Sequence, residues 1–355
     1  MRFLGVLSGT SADGIDLGLV DFTNGIELIA FDTAPFPPPL QQALHRLPGP
    51  QATLPQLSVL QADLNRAFTA AINAFLKNHG PVSAIGFHGQ TLWHAPAHGA
   101  SWQLGDPAIL AAATATPVVA GFRQSDLALG GQGAPLAPAF HAELFAHQPK
   151  PLAVVNIGGL ANISLIDQSV QGWDSGPGNG IMDEIAQRWF NQPYDKNGQI
   201  AAQGSVNDAL LATLLQHPYF HLPPPKSCGR EQFNLHWLLK QIEQPPAPQD
   251  LLTTACALTA ATIAHDLVKA NPKTVIFCGG GAYNPTLIQH IQHFYRQFGG
   301  RQQTTFTHSN PAPPEAIEAM LFAWLGKKRW CNEPVDYTPI TGATRPGLYG
   351  TIWHA

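Results

Sequence analysis

Asp174 is the side chain best suited to acid–base chemistry. It stands in the run Trp173-Asp174-Ser175-Gly176-Pro177-Gly178-Asn179, which predicts the end of a strand followed by a glycine-proline turn. A general base needs a fixed carboxylate at the edge of a cleft, and a strand end supplies that rigidity. The alternative is an aspartate that only caps a turn or a helix. Asp174 is therefore a candidate base that needs supporting residues around it.

A phosphate-binding turn is predicted at Gly9-Thr10-Ser11-Ala12-Asp13-Gly14-Ile15-Asp16. Glycines let backbone N–H groups converge on an anion, and hydroxyl groups add donors. The carboxylates of Asp13 and Asp16 are candidate ligands of Mg²⁺ beside the phosphates, directly or through water, and the sequence does not choose among these. The alternative is a solvated hairpin turn.

Two further glycine-rich turns fit the other sides of a nucleotide. Gly158 and Gly159, with Asn162 nearby, repeat the small polar pattern of the first turn, and the three glycines 279–281 end an apolar strand. Bare backbone there would let a flat base or a ribose lie close, and a plain strand-to-helix turn is the alternative. The sequence lacks G-x-x-x-x-G-K-[ST], and no G-x-G-x-x-G opens a helix after a strand. Neither a P-loop nor a dinucleotide-binding fold is therefore expected.

The elements that must position these turns occur twice along the chain. Each copy has an apolar strand, a small polar turn, two more strands, a helix, and a strand that runs into glycine. The repeated segments are 3–22 and 152–167 for the hairpin, 26–31 and 172–174 for the third strand, 54–78 and 251–270 for the helix, and 82–89 and 274–281 for the last strand. Two α/β domains of one topology, facing each other, are predicted. A chance match in a glycine-rich chain is the alternative.

The composition excludes several classes of partner. The 355 residues include 19 Lys and Arg against 23 Asp and Glu, a formal charge of −4, without the basic cluster that nucleic-acid binding needs. Four cysteines lie far apart without C-x-x-C spacing, which argues against a zinc site and fits a reduced, cytoplasmic chain. The apolar run at the N-terminus is too short for a signal peptide, and no membrane partner is expected.

Eight phrases between Ser8 and Leu325 carry a family resemblance: SGTSADGID, GFHGQT, GFRQSDLALGGQGAPL, NIGGLANIS, DSGPGN, PKSCGREQFN, CGGGAYN and EAMLFAWL. Together with TGATRP near the C-terminus, they make the chain similar to the anhydro-N-acetylmuramic acid kinase family, within the superfamily of sugar kinases, actin and Hsp70. The resemblance implies an α/β fold of two RNase-H-like (actin/hexokinase-type) domains flanking an ATP cleft. We expect the first domain at 1–130, with about 327–355 packing back on it, and the second at 131–326.

The resemblance also implies a reaction. Water opens the 1,6-anhydro bridge of 1,6-anhydro-N-acetylmuramic acid while O6 takes the γ-phosphoryl group of ATP, giving N-acetylmuramic acid 6-phosphate and ADP in peptidoglycan recycling. The implied partners are the sugar, ATP and Mg²⁺, and a homodimer is expected. Two other functions stay open: an ATP-dependent binding or chaperone-like protein of the same superfamily, and a kinase for an open sugar.

Carried over residue by residue, the resemblance gives each motif a role. Asp174 matches the general base, Gly9 to Asp16 the phosphate loop, Gly158, Gly159 and Asn162 the facing loop, and Gly279, Gly280 and Gly281 the nucleoside side. Glu318 is expected near the sugar, and Arg123 at its lactyl carboxylate, because a guanidinium pairs bidentately with a carboxylate. A structural role on a helix face or at the surface is the alternative for these two residues. Apart from the resemblance, His88, next to Gly89-Gln90, is the histidine that we take as a candidate cleft residue for substrate binding. The chain departs from expectation at Ser8, where many superfamily members have an aspartate, and at Cys228, where a hydroxyl residue is expected.

Overall fold

A computed structural model describes residues 1–9, 12, 14–46, 52–229, 231–244, 246–309 and 311–355. These residues group into two compact units. The first comprises residues 1–144 and 316–355, and the second comprises residues 145–315. Each unit has a hydrophobic core of its own, as is typical of separate domains.

Strands and helices alternate along the described part of the chain. The strands are β1 (Arg2–Ser8), β2 (Gly14–Asp21), β3 (Glu27–Pro35), β4 (Ala84–Ala95), β5 (Ala100–Leu104), β6 (Val118–Ala120), β7 (Leu152–Ile157), β8 (Leu160–Ile166), β9 (Val170–Pro177), β10 (Thr274–Cys278), β11 (Thr305–His308) and β12 (Thr351–Trp353). The α-helices are α1 (Pro38–Arg46), α2 (Leu54–His79), α3 (Pro107–Thr114), α4 (Phe122–Ala128), α5 (Ala137–Leu144), α6 (Gly180–Phe190), α7 (Asp208–Leu215), α8 (Leu235–Leu239), α9 (Pro248–Ala270), α10 (Pro285–Gln297), α11 (Ile317–Trp330) and α12 (Thr338–Thr341). This order is that of an α/β protein, as predicted.

The first unit is built on one mixed sheet in the order β3, β2, β1, β4, β6, β12, with β5 paired to β4. Strands β1, β2 and β3 are antiparallel neighbours, whereas β4 is parallel to β1 and β6 is parallel to β4. Helix α2 precedes β4 and buries an apolar stripe that includes Leu64, Phe68 and Ile72. The helix predicted at 54–78 is confirmed, because its apolar residues recur at helical spacing.

The second unit repeats this topology. Its sheet has the order β9, β8, β7, β10, β11, in which β7, β8 and β9 are antiparallel, β10 is parallel to β7, and β11 is parallel to β10. Helix α9 precedes β10 as α2 precedes β4. The predicted duplication, with two α/β domains of one strand order, is therefore confirmed.

Helix α9 is the central helix of the second core. It is long and apolar enough to cross a membrane by length and composition, yet 89% of its most apolar window is buried inside the unit. Its buried side chains lie all around the helix, including Leu252, Cys256 and Ile263. A helix that is hydrophobic all round and covered on every side is typical of a protein interior.

Helix α11 lies directly on the first sheet because glycines leave room for it. A Cβ atom on Gly5 of β1 would overlap the carbonyl oxygen of Ala319, and one on Gly86 of β4 would overlap that of Phe322. Glycine inside a strand often marks such a close backbone approach. This packing groups residues 316–326 with the first unit, and residues 131–144 join them there, whereas the sequence-based boundaries put both segments in the second domain.

Candidate functional site

Asp174 lies near the carboxyl end of β9, in a row of three polar residues across the second sheet. Asn156 of β7 pairs with Asn162 of β8, which pairs with Asp174. Directly opposed residues of antiparallel strands point to the same face of a sheet. The predicted residues Asn162 and Asp174 are thus brought together, and Asn156 is a third member that the sequence analysis missed.

Hydrogen bonds from the neighbouring chain fix Asp174. Its N–H donates to the carbonyl oxygen of Lys226 at 3.0 Å, and its own carbonyl oxygen accepts the hydroxyl of Tyr219 at 2.7 Å. The N–H of Cys228 donates to Oδ2 of the carboxylate at 3.1 Å. An N–H donor stabilises the ionised form of a carboxylate, which is the form that a general base requires.

Cys228 contributes its backbone rather than its thiol. Burial, and then the neighbouring charge of Asp174, raise the pKa of the Cys228 thiol to about 12. The thiol is therefore neutral at physiological pH and a poor nucleophile. The unexpected cysteine leaves the hydrogen bond to Asp174 in place, because the donor is the main-chain N–H.

The turn at Gly158 and Gly159 is supported by the residues that follow β9. Gly178 and Gly180 donate their N–H groups to the carbonyl oxygen of Gly159 at 3.1 and 3.0 Å, and Asn179 donates to that of Gly158 at 2.8 Å. The loop after Asp174 therefore braces the β7–β8 turn. Both lie beside the N-terminus of α6, the end of a helix whose dipole favours an anion.

The glycines 279–281 form the turn after β10. Gly279 has φ +76°, and a Cβ atom there would lie 2.5 Å from Asn156 Oδ1, whereas one on Gly280 would meet nothing within 4 Å. Since β7 and β10 are parallel neighbours, their carboxyl ends meet at one edge of the sheet. The predicted residues Gly158, Gly159 and Gly279 to Gly281 are thus gathered there, with Gly280 exposing its backbone.

A groove opens beside the 279–281 turn, entirely within the second unit. Its volume is about 710 Å³, and it is lined by Asn197, Ala282, Tyr283, Pro285, Ile288, Gln289, His308 and Pro314. Tyr283 is half exposed and donates its hydroxyl to Glu315 Oε2 at 2.5 Å. The sequence analysis missed Tyr283, although an aromatic residue two positions after three glycines is a signal that could have found it.

In the first unit, Gln90 holds the start of the β1–β2 turn. Its side-chain amide donates to the carbonyl oxygen of Gly9 at 3.2 Å and accepts the hydroxyl of Ser8 at 2.6 Å. Ser8 is thereby engaged in a buried contact. Gly14, Ile15 and Asp16 belong to β2, and Ala12 is buried with φ +54°. The predicted Thr10, Ser11 and Asp13 lie outside the described residues.

Asp16 is the predicted metal ligand that the structure describes. Its Oδ1 accepts the hydroxyl of Thr33 at 2.7 Å. The described residues contain no group of three or more His, Cys, Asp or Glu side chains suited to a metal. A carboxylate oxygen nevertheless fits Mg²⁺, which is commonly held by one or two carboxylates together with substrate phosphates and water.

His88 and Arg123 lie in one environment of the first unit. The His88 ring stacks on Phe322 with centroids 4.4 Å apart. Burial, and then the positive charge of Arg123, hold the pKa of His88 well below its ordinary value of 6.5. Glu318 is exposed and lies four residues before Phe322 on α11, hence on the same helix face. His88 and Glu318 therefore lie on the side of α11 that carries Phe322, and Arg123 is near enough to His88 to act on its charge.

Comparison with known proteins identifies the family. The model of the family described as anhydro-N-acetylmuramic acid kinase matches residues 1–355. The chain is 44% identical to the anhydro-N-acetylmuramic acid kinase of Hydrogenovibrio crunogenus, over 99% of this chain and 98% of that one. It is 42% identical to that of Xylella fastidiosa, over 99% and 95% of the two chains. Among solved structures it is similar to a ROK family glucokinase from Streptomyces griseus in complex with glucose and AMPPNP, with a TM-score of 0.45, 15% identity, and coverage of 92% and 100%.

Proposed function

Because the chain belongs to the anhydro-N-acetylmuramic acid kinase family, we propose that it opens the 1,6-anhydro bridge of 1,6-anhydro-N-acetylmuramic acid and phosphorylates O6 at the expense of ATP. The products are N-acetylmuramic acid 6-phosphate and ADP. The chain is thus a sugar kinase that acts in peptidoglycan recycling. The observation that carries the proposal is the carboxylate of Asp174, held by a backbone N–H in the unit that also carries the 158–159 and 279–281 turns.

Asp174 acts as the general base in this proposal. It takes a proton from a water molecule whose oxygen forms the bond to C1, while the bond from C1 to O6 breaks. The electron pair left on O6 forms the bond to the γ-phosphorus, and ADP leaves with the electrons of the broken phosphoanhydride bond. One carboxylate is sufficient, because the departing oxygen is captured by phosphorus rather than by a proton.

The nucleotide is assigned to the glycine turns. Gly9 to Asp16 and the loop with Gly158, Gly159 and Asn162 would hold the phosphates with backbone N–H groups. The exposed backbone of Gly280 and the groove with Tyr283 support a nucleoside site there. Mg²⁺ would neutralise phosphate charge and would be held by the phosphates with Asp16, Asp13 or water.

The sugar is assigned to residues of the first unit. Arg123 would pair with the lactyl carboxylate, since a guanidinium and a carboxylate form two parallel hydrogen bonds. His88 is kept neutral by burial and by Arg123, so its imidazole can donate or accept a hydrogen bond at a sugar hydroxyl. Glu318 would accept from another hydroxyl.

The proposal extends to the cellular location and the oligomeric state of the enzyme. We expect the enzyme in the cytoplasm, where ATP is available, and the four cysteines are not disulfide-bonded, as suits a reducing compartment. We expect a homodimer, as the family resemblance implies. Analytical ultracentrifugation tests that state.

Labelled water separates this reaction from the action of a kinase on an open sugar. In ¹⁸O-water, the proposal predicts one labelled oxygen on C1 of the phosphorylated product and none at O6. Asp174→Asn should lower turnover by about 10³-fold or more while the affinity for a non-hydrolysable ATP analogue stays unchanged. Asp167→Asn is the matched control, because Asp167 is exposed in the turn between β8 and β9. Unlabelled C1, or near-normal turnover of Asp174→Asn, would contradict the proposal.

A further inference from the structure

A buried ion pair lies beside Asp174 in the second unit. Lys226 Nζ lies 3.2 Å from Asp266 Oδ2, and the two side chains are only 2% and 3% exposed. Trp173 donates its indole N–H to the same Oδ2 at 2.9 Å. Burying two charges is costly unless they are paired in good geometry and hydrogen-bonded. The pair therefore fixes the segment that carries Lys226 against α9, which carries Asp266.

Both partners of the ion pair are connected to Asp174 through the main chain. Trp173, which contacts Asp266, directly precedes Asp174. Lys226 accepts the N–H of Asp174 with its carbonyl oxygen at 3.0 Å, and two residues later Cys228 donates to the carboxylate at 3.1 Å. The segment 226–228 therefore runs along β9 as a hydrogen-bonded support, and its lysine is tied into the core.

We propose that Lys226 and Asp266 are positioning residues, which hold the carboxylate of Asp174 in its working geometry through the segment 226–228. The inference rests on the proposed function, because it gives Asp174 the role of base. Neither side chain is a catalytic residue, since both are buried away from solvent. They act through the N–H of Cys228.

The titratable and charged groups around Asp174 and its supporting segment come from several elements. They are Lys226 and Cys228 in the supporting segment, Tyr219 before it, Glu231 after it, and His265 and Asp266 on α9. Of these, Cys228 gives the carboxylate a direct N–H donor. Such a donor favours the charged form of a carboxylate. Losing it should therefore raise the pH at which Asp174 becomes an active base.

Lys226→Met tests the inference through the pH dependence of kcat. We expect kcat at neutral pH to fall about 10- to 100-fold, because a small displacement of a reacting group is costly. The acid limb of the kcat profile should move up by about one pH unit. KM for the anhydro sugar should change less than about threefold, since its assigned ligands lie in the first unit. A merely structural role would not move the acid limb.

Companion variants keep the test interpretable. Lys226→Met leaves Asp266 buried without its cation, so the double variant Lys226→Met/Asp266→Leu, which leaves no unpaired charge, is measured if the single variant fails to fold. Lys226→Arg retains the positive charge and should keep the wild-type acid limb. Lys328→Met is the matched control, because it removes a lysine paired with Glu143 in the first unit and should leave the profile unchanged.

The outcomes separate this inference from the proposed function. If Asp174→Asn retains turnover, the proposed base is wrong and the positioning role falls with it. A second outcome overturns only the positioning role. In it, Asp174→Asn is inactive, whereas the Lys226→Met protein, or the double variant, is folded and keeps the wild-type acid limb and kcat. The positioning role is supported if the acid limb of Lys226→Met is raised while its KM stays near normal, and if Lys226→Arg has the wild-type acid limb.

Discussion

Gly280→Val isolates the contact between nucleotide and backbone from the stability of the fold. A Cβ atom at Gly280 would meet nothing within 4 Å, and Gly280 does not have the positive φ that disfavours other residues. Folding should therefore change by less than about 0.5 kcal/mol, as for an ordinary surface substitution. If a base or ribose lies against this backbone, the valine side chain occupies its place. Overpacking of that kind costs about 1–3 kcal/mol, which corresponds to a loss in ATP affinity of about 5- to 150-fold.

Calorimetric titration with a non-hydrolysable ATP analogue measures this affinity, and urea unfolding measures stability. Gly281→Val is the contrasting variant, because its Cβ atom would collide with the side chain of Ile157 and should destabilise the unit itself. Unchanged nucleotide affinity in a stable Gly280→Val protein would refute the assignment of this turn to the nucleoside.

Two further predictions concern the first unit. Gly86→Ala should lower the free energy of unfolding by about 3 kcal/mol, because the added methyl group overlaps the carbonyl oxygen of Phe322 on α11. Urea unfolding measures this change, with Gly280→Ala as the control. An unchanged urea midpoint for Gly86→Ala would contradict the prediction. Burial lowers the pKa of His141 to about 3 from 6.5, so the unfolded chain binds a proton there below pH 6.5 that the folded chain does not. The free energy of unfolding should therefore fall by about 2 kcal/mol from this residue as the pH drops from 7 to 5. The His141→Gln protein should lose that part of the pH dependence. Equal pH dependence of unfolding in both proteins would contradict the prediction.

The sequence predicted the elements that have local signals. The helix predicted at 54–78 extends from Leu54 to His79, because its apolar residues recur every three or four positions. The two hairpins were found because short apolar runs flank small polar turns. Because the two halves of the chain have the same order of strands and helices, they were predicted to have the same topology. Connections between neighbouring elements are short and follow few patterns.

Contacts between distant segments could not be predicted in the same way. Cys228 and Asp174 are separated by 54 positions, and Gln90 and Ser8 by 82. No local pattern in the sequence indicates which distant residues form such a hydrogen bond. The position of α11 is an intermediate case, because a glycine inside an apolar strand, as at Gly5 and Gly86, is a signal of close backbone approach that does not say which element will fill the space.

The duplicated fold explains where the two units can place their carboxylates. On the sheet face opposite each long helix, the first unit has the row Leu7, Asp16 and Thr33, and the second has Asn156, Asn162 and Asp174. Asp16 flanks the core residues Ile15 and Leu17 as Asn162 flanks Ala161 and Ile163.

The two rows differ in the strand that carries the charge. Asp16 lies on the second strand, β2, between two paired strands, and its Oδ1 accepts the hydroxyl of Thr33 from β3. Asp174 lies on β9 at the edge of its sheet, where the segment 226–228 can bring a backbone N–H to the carboxylate. A carboxylate at a sheet edge can be held by a segment outside the sheet, as the Cys228 N–H holds that of Asp174. The edge position therefore suits the role of base that we propose for Asp174, whereas the inner position of Asp16 suits the role that we propose for it, a ligand of Mg²⁺ together with the ATP phosphates.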